Sequence, residues 1–112
     1  MIPFPTSLQP APGAADTFTL AVEPEHPAFL GHFPGQPILP GVVQIDWALR
    51  LGMARFGPLG TFRALEHLKF QDIIRPAEPL TLILGWNEDR RELAFEYRGA
   101  SGAKSKGFAV FA

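Results

Sequence analysis

Two titratable side chains stand where they can do acid–base chemistry: His32 and Asp46, fourteen positions apart. An imidazole titrates near neutral pH, and a loop stiffened by Pro27, Pro34, Pro37 and Pro40 would hold its ring in place, so His32 reads as a base. Asp46 falls among Val42, Ile45 and Leu49 in a segment with helical periodicity. Apolar surroundings disfavour a charged carboxylate and keep its proton available, so Asp46 reads as an acid. Pro40-Gly41-Val42 opens that segment. The N–H groups of Gly41 and Val42 then lie in the first helical turn, without an acceptor inside the helix and at the positive end of its dipole. They are suited to hold a carbonyl oxygen, and Gly41 lets a ligand approach the backbone closely.

Each of these residues also admits a structural role. A loop histidine commonly bonds to backbone, Asp46 can pair with Arg50 at i+4, and Gly41 can serve only as a helix-start residue. Of the other histidines, His26 precedes a proline and reads as a capping or loop-bonding residue, and His67 reads as structural. Trp47 and Trp86 read as core or interface residues.

The elements that must position these groups follow from periodicity. In residues 16–23, Phe18, Leu20 and Val22 alternate with polar neighbours, predicting a half-buried strand ended by Pro24. Prolines 27, 34, 37 and 40 with Gly31 and Gly35 forbid long regular structure up to residue 40, although Pro27-Ala28-Phe29-Leu30 can make one helical turn. Residues 42–56 predict one helix, with Val42, Ile45, Leu49, Met53 and Phe56 at i, i+3, i+4 spacing, Pro40 at a first helical position and Gly57-Pro58 as the stop. Gln44, Asp46, Arg50 and Arg55 alone interrupt its apolar surface, so other structure should wrap it. Strands are expected at 62–74, 80–86, 91–98 and 104–111, separated by turn compositions at hairpin spacing. Leu93, Phe95 and Tyr97 alternate with Glu92, Glu96 and Arg98, and Leu82-Ile83-Leu84 marks a central strand. The class is α+β, one long helix with a sheet curled around it, and residues 1–13 form a proline-rich extended leader.

Composition narrows the function classes. A chain of 112 residues has room for one domain. Ten Lys+Arg against eleven Asp+Glu leave a net charge of −1, too balanced for a nucleic-acid footprint. The absence of cysteine excludes disulfides, Cys–Zn sites and thiol catalysis. Residues 1–12 have no basic residue and no continuous apolar run, so neither a signal peptide nor a membrane span is expected, and a cytoplasmic protein is the default.

Gly31-His32-Phe33-Pro34, Pro37, Pro40-Gly41-Val42 and Asp46 stand at the spacing of the active-site signature of the 3-hydroxyacyl-thioester dehydratases of fatty-acid synthesis, which this segment closely resembles. Leu68-Lys69-Phe70 and Arg75-Pro76 are similar to that family's strand after the helix. The resemblance implies a single hotdog domain over residues 1–112, a long helix wrapped by a curved antiparallel sheet. It also implies removal of water from a 3-hydroxyacyl thioester to give the trans-2-enoyl thioester. That reaction needs a base for the proton beside the carbonyl, an acid for the departing hydroxyl and a donor for the carbonyl oxygen. His32, Asp46 and the amides of Gly41 and Val42 fill these roles, and no metal or cofactor is called for. In the family the site forms in a homodimer, with the histidine from one subunit and the acid from the other. Phe33, Ile38, Leu39 and Trp47 would line the acyl tunnel.

Asp46 stands where the commonest dehydratase branch has Glu, as in the branch that also isomerises the double bond, and Arg50 stands where the family usually has Gln. A guanidinium there would favour the charged form of the acid. The short chain is similar to small stand-alone members of polyketide-like and aryl-polyene pathways. The implied partner is an acyl thioester on carrier protein or coenzyme A. Two other readings stand beside it: a hotdog thioesterase, and a non-catalytic acyl-thioester binding protein that keeps the pocket.

Overall fold

The computed structural model describes residues 2–31 and 35–112. Strands β1 (Gln9–Pro10) and β2 (Thr17–Leu20) precede a 3-10 turn at Pro27–Phe29 and the helix α1 (Gly41–Phe56). Strands β3 (Phe62–Phe70), β4 (Leu80–Asn87), β5 (Glu92–Gly99) and β6 (Gly102–Phe111) follow. They form one antiparallel sheet in the order β1-β2-β4-β5-β6-β3. The expected order of strand, helix and four further strands is present with β1 in addition, but β3 and β4 do not form the expected hairpin: β3 crosses over to pair with β6, and β4 pairs with β2.

Register decides which side chains face α1. Phe95 lies opposite Leu84 and Gly107, and Tyr97 opposite Leu82 and Ser105. The two-residue period therefore turns Leu82, Leu84, Leu93, Phe95 and Tyr97 into the core, as their alternation predicts. β4 lies inside the sheet, but its outer face is open and Ile83 is exposed there.

The buried face of α1 is not the one that spacing suggested. Val43, Gln44, Trp47, Ala48, Leu51 and Gly52 are buried, whereas Val42 and Met53 are exposed. A helix apolar nearly all round gives periodicity no face to choose, and volume decides instead. A Cβ at Gly52 would lie 2.5 Å from Leu93 Cδ2, so Gly52 beside Ala48 lets the helix approach the sheet closely. Pro40 caps the helix instead of occupying its first turn, and Gly57 ends it with φ 86°.

Two further boundaries move for identifiable reasons. Residues 1–13 are not a free leader: Pro10 pairs with Phe18, and Ile2, Phe4 and Leu8 pack against the core. β3 ends at Phe70 instead of 74 because the N–H groups of Gln71 and Asp72 both donate to the Lys104 carbonyl and turn the chain aside. Ile74 is then buried, and its carbonyl accepts from Leu39 N–H at 2.9 Å, tying this loop to the segment before α1.

The Lys104 side chain fastens the same loop. Its buried ammonium donates to Asp72 Oδ2 at 2.9 Å, Glu78 Oε2 at 2.6 Å and the Ile73 carbonyl at 3.1 Å. The Glu78 carboxylate, then Asp72, holds Lys104 above its ordinary value, and Lys104 first of all holds Asp72 below its own. A raised Lys stabilises the fold at all pH below its unfolded value of 10.5 and loses that contribution as pH climbs past its folded value. A depressed Asp contributes above its unfolded value of 3.8 and loses it as pH falls through its folded value. Lys104→Met should lower Tm by roughly 5 °C, the equivalent of about 1 kcal/mol in a domain of this size. Melting curves across the pH range should show that difference shrinking at both ends; a constant difference would mean the contacts carry none of it.

Candidate active site

Asp46 sits on the open side of α1, one turn beyond Val42. Its side chain is about two-fifths exposed. Arg50 approaches it from the next turn, with Nε at 3.1 Å and Nη2 at 3.0 Å from the same oxygen, Oδ2. Among the described residues no donor meets Oδ1.

At the opening of the helix, Pro40 provides no side-chain cap, and its carbonyl accepts from the N–H groups of Val43 and Gln44. Among the described residues, the Gly41 and Val42 N–H groups have no backbone acceptor. A Cβ on Gly41 would lie 2.5 Å from Phe70 Cζ, so the glycine is needed for the half-exposed Phe70 ring to lie over the helix end. Phe70 was legible only as part of a strand motif.

A buried polar network fixes this opening. Gln44 Nε2 donates to the Leu39 carbonyl at 3.1 Å, and Gln44 Oε1 accepts from Ser105 Oγ at 2.6 Å. Tyr97 Oη donates to the Gln44 carbonyl at 2.8 Å. Burial first, then the Asp46 charge, pushes the Tyr97 phenol well above its ordinary value, so it remains a neutral donor. Gln44 read as a polar interruption of the helix; a partner 61 positions away makes it a core residue.

Of the residues expected along the acyl tunnel, Leu39 and Trp47 are buried in the core and Ile38 is half-buried. The Trp47 ring packs against Phe4 and the edge of His26, and its Nε1 donates to the Ile2 carbonyl at 3.4 Å. His32 and Phe33 lie outside the described residues.

The other histidines have settled places. His26 caps the 3-10 turn: its Nδ1 accepts from Ala28 N–H at 3.0 Å, which leaves Nε2 to donate to the Pro3 carbonyl at 2.9 Å. Both ring nitrogens are spent, as a loop-bonding role requires. His67 is exposed, with φ 52°, at a bulge between Glu66 and Lys69, edge-on to Phe108. Among the described residues no group of three or more His, Cys, Asp or Glu side chains is placed to hold a metal ion, and no helix is long and apolar enough to cross a membrane.

Residues 11–108 match the family described as ApeI-like, ApeI dehydratase. The chain belongs to the ApeI-like dehydratase family. Its fold is similar to that of the dehydratase heterocomplex ApeI:P from Xenorhabdus doucetiae, at a TM-score of 0.83 and 32% identity, covering 98% of this chain and 97% of that one. An uncharacterized protein from Erwinia carotovora subsp. atroseptica is similar at a TM-score of 0.77 and 32% identity, over 98% and 95% of the two chains. The hotdog fold expected from the signature is therefore the fold of the chain. The chain is also similar to the 3-hydroxyacyl-(acyl-carrier-protein) dehydratase FabZ of Novosphingobium aromaticivorans, 37% identical over 79 residues, which are 62% of this chain and 50% of that protein. The dehydratase FabZ of Chloroflexus aggregans is 30% identical over 87 residues, 71% of this chain and 60% of that protein. The chain spans about half the length of the first of these curated relatives.

Proposed function

We propose that the protein removes water from a 3-hydroxyacyl thioester carried on acyl carrier protein, leaving the trans-2-enoyl thioester. The observation that carries this reading is a carboxyl group, Asp46, one helical turn from the first-turn amides at Gly41 and Val42, which have no backbone acceptor among the described residues, with the oxygen Oδ1 free of Arg50. His32 takes the proton from C2, and the electrons of that C–H bond form the C2–C3 double bond. The C3–O bond breaks as Asp46 gives its proton to the departing hydroxyl, which leaves as water. The Gly41 and Val42 amides hold the thioester oxygen while charge builds on it. Relatives named for acyl-carrier-protein substrates favour a carrier-linked thioester over coenzyme A.

The active unit in this reading is a homodimer with shared sites. β3 is one of the sheet's two edges, with Phe62, Leu65 and Phe70 exposed along it; no described strand pairs with its outer side, and an edge of that length and character favours pairing with another chain. The similar ApeI:P structure is a heterocomplex, so a homologous second subunit is the alternative. A second functional reading, a non-catalytic acyl-thioester binder, draws on the Asp46–Arg50 pair.

Mass spectrometry of a 3-hydroxyacyl thioester on carrier protein tests both levels. The purified chain should release one water with the thioester intact; free acid would mean a thioesterase, and bound, unchanged substrate the binder. His32→Ala and Asp46→Asn should each be inactive alone. If each site takes one residue from each subunit, mixing the two variants restores up to about a quarter of wild-type activity. No restoration after subunit exchange would place both residues in one chain.

A further inference from the structure

An ion pair at i, i+4 on an open helix face is ordinarily a loose contact that swings in water. Arg50 is different: its side chain is only about one-fifth exposed and is held on three sides. Its Nη2 donates to the Ile2 carbonyl, its guanidinium stacks 4.2 Å from the centre of the Phe4 ring, and Asp46 accepts from it through Oδ2. Ile2 and Phe4 are themselves anchored, since the Ile2 carbonyl also accepts from Trp47 and the Phe4 ring leans on Trp47. His26 fixes the residue between them through the Pro3 carbonyl.

We propose that the N-terminal segment completes the acid site: Ile2 and Phe4 hold Arg50, and Arg50 fixes Asp46 by one oxygen so that the other presents its proton to the departing hydroxyl. The inference rests on the dehydratase reading, with Asp46 as the acid. A fork binding both carboxylate oxygens would leave no oxygen free to carry the proton; here both nitrogens converge on Oδ2 and leave Oδ1 open. In the step itself the Asp46 O–H bond breaks, an O–H bond forms on the hydroxyl as the C3–O bond breaks, and water departs. Arg50 exchanges no proton; its guanidinium favours the charged form of Asp46, which is the form that proton donation creates. Arg50 and Phe4 are thus positioning residues, and the segment read as a leader belongs to the site.

The test measures kcat and KM for dehydration of a 3-hydroxyacyl thioester on carrier protein, using the full chain. Arg50→Gln should lower kcat about tenfold and Phe4→Ala about fivefold, each with KM within about twofold. Because Phe4 acts through Arg50, the double variant should be no slower than Arg50→Gln alone. Phe4→Tyr, which keeps the ring, should restore the rate, whereas Phe4→Leu, which keeps apolar volume, should not; Phe4→Leu carries the comparison if Phe4→Ala does not fold. Additive losses, losses confined to KM, unchanged rates, or a rise in kcat for Arg50→Gln would each overturn the proposal while leaving the dehydratase reading intact. Full activity in Asp46→Asn would instead remove the acid assignment, and the proposal with it.

Discussion

Asp46→Asn should lower kcat for dehydration by about a thousandfold, with KM changed no more than about threefold, the range expected when a general acid is removed. The substitution is nearly isosteric. The amide oxygen it introduces can still accept from Arg50, so the contacts that seat the side chain persist and the fold has no cavity to absorb. What is lost is an acidic proton for the departing hydroxyl. Melting curves should therefore agree with wild type within about 2 °C, well below the shift that a lost kcal/mol brings to a domain of this length. A variant that keeps more than a tenth of wild-type kcat would exclude Asp46 as the acid and leave the paired carboxylate as a surface group of the helix.

Trp47→Ala should cost about 3–5 kcal/mol of stability, the range for emptying a fully buried large aromatic site. Trp47 is 1% exposed and sits where α1, the N-terminal segment and the His26 turn meet. Truncation leaves a void under Phe4 and His26 and removes one donor to the Ile2 carbonyl. Against a total stability of about 5–15 kcal/mol for an ordinary domain, this is a large fraction. Urea titration should show a lower midpoint at unchanged slope, and Trp47→Phe should recover most of the loss. A loss below about 1 kcal/mol would mean that neighbouring side chains collapse into the space. The N-terminal segment should also become the first site of proteolytic cleavage in Trp47→Ala, because its anchors on α1 are weakened.

Much of the candidate site could be read locally. Pro40-Gly41 before an apolar run marks a helix start, and the first amides of that start have no acceptor within the helix. The four-residue spacing of Val42 and Asp46 puts both on one helix face, and the same spacing brings Arg50 to Asp46. Phe70, Gln44, Ile2 and Phe4 gave no comparable signal, since each matters only through a residue far away in the chain: Gly41, Ser105 and Arg50.

Element order, the inward alternation of β5, the helix and its glycine stop, and the place of Asp46 relative to the helix opening were determined by the sequence alone. These are steric and periodic properties of neighbouring residues, and they do not depend on what packs against them. The tertiary structure decided which face of α1 is buried, because only the fit of Gly52 against Leu93 and of Gln44 against Ser105 distinguishes faces of similar hydrophobicity. It also turned the proline-rich first residues into a strap over Trp47 and Arg50, a placement fixed by carbonyl acceptors and an aromatic face that no sequence period encodes.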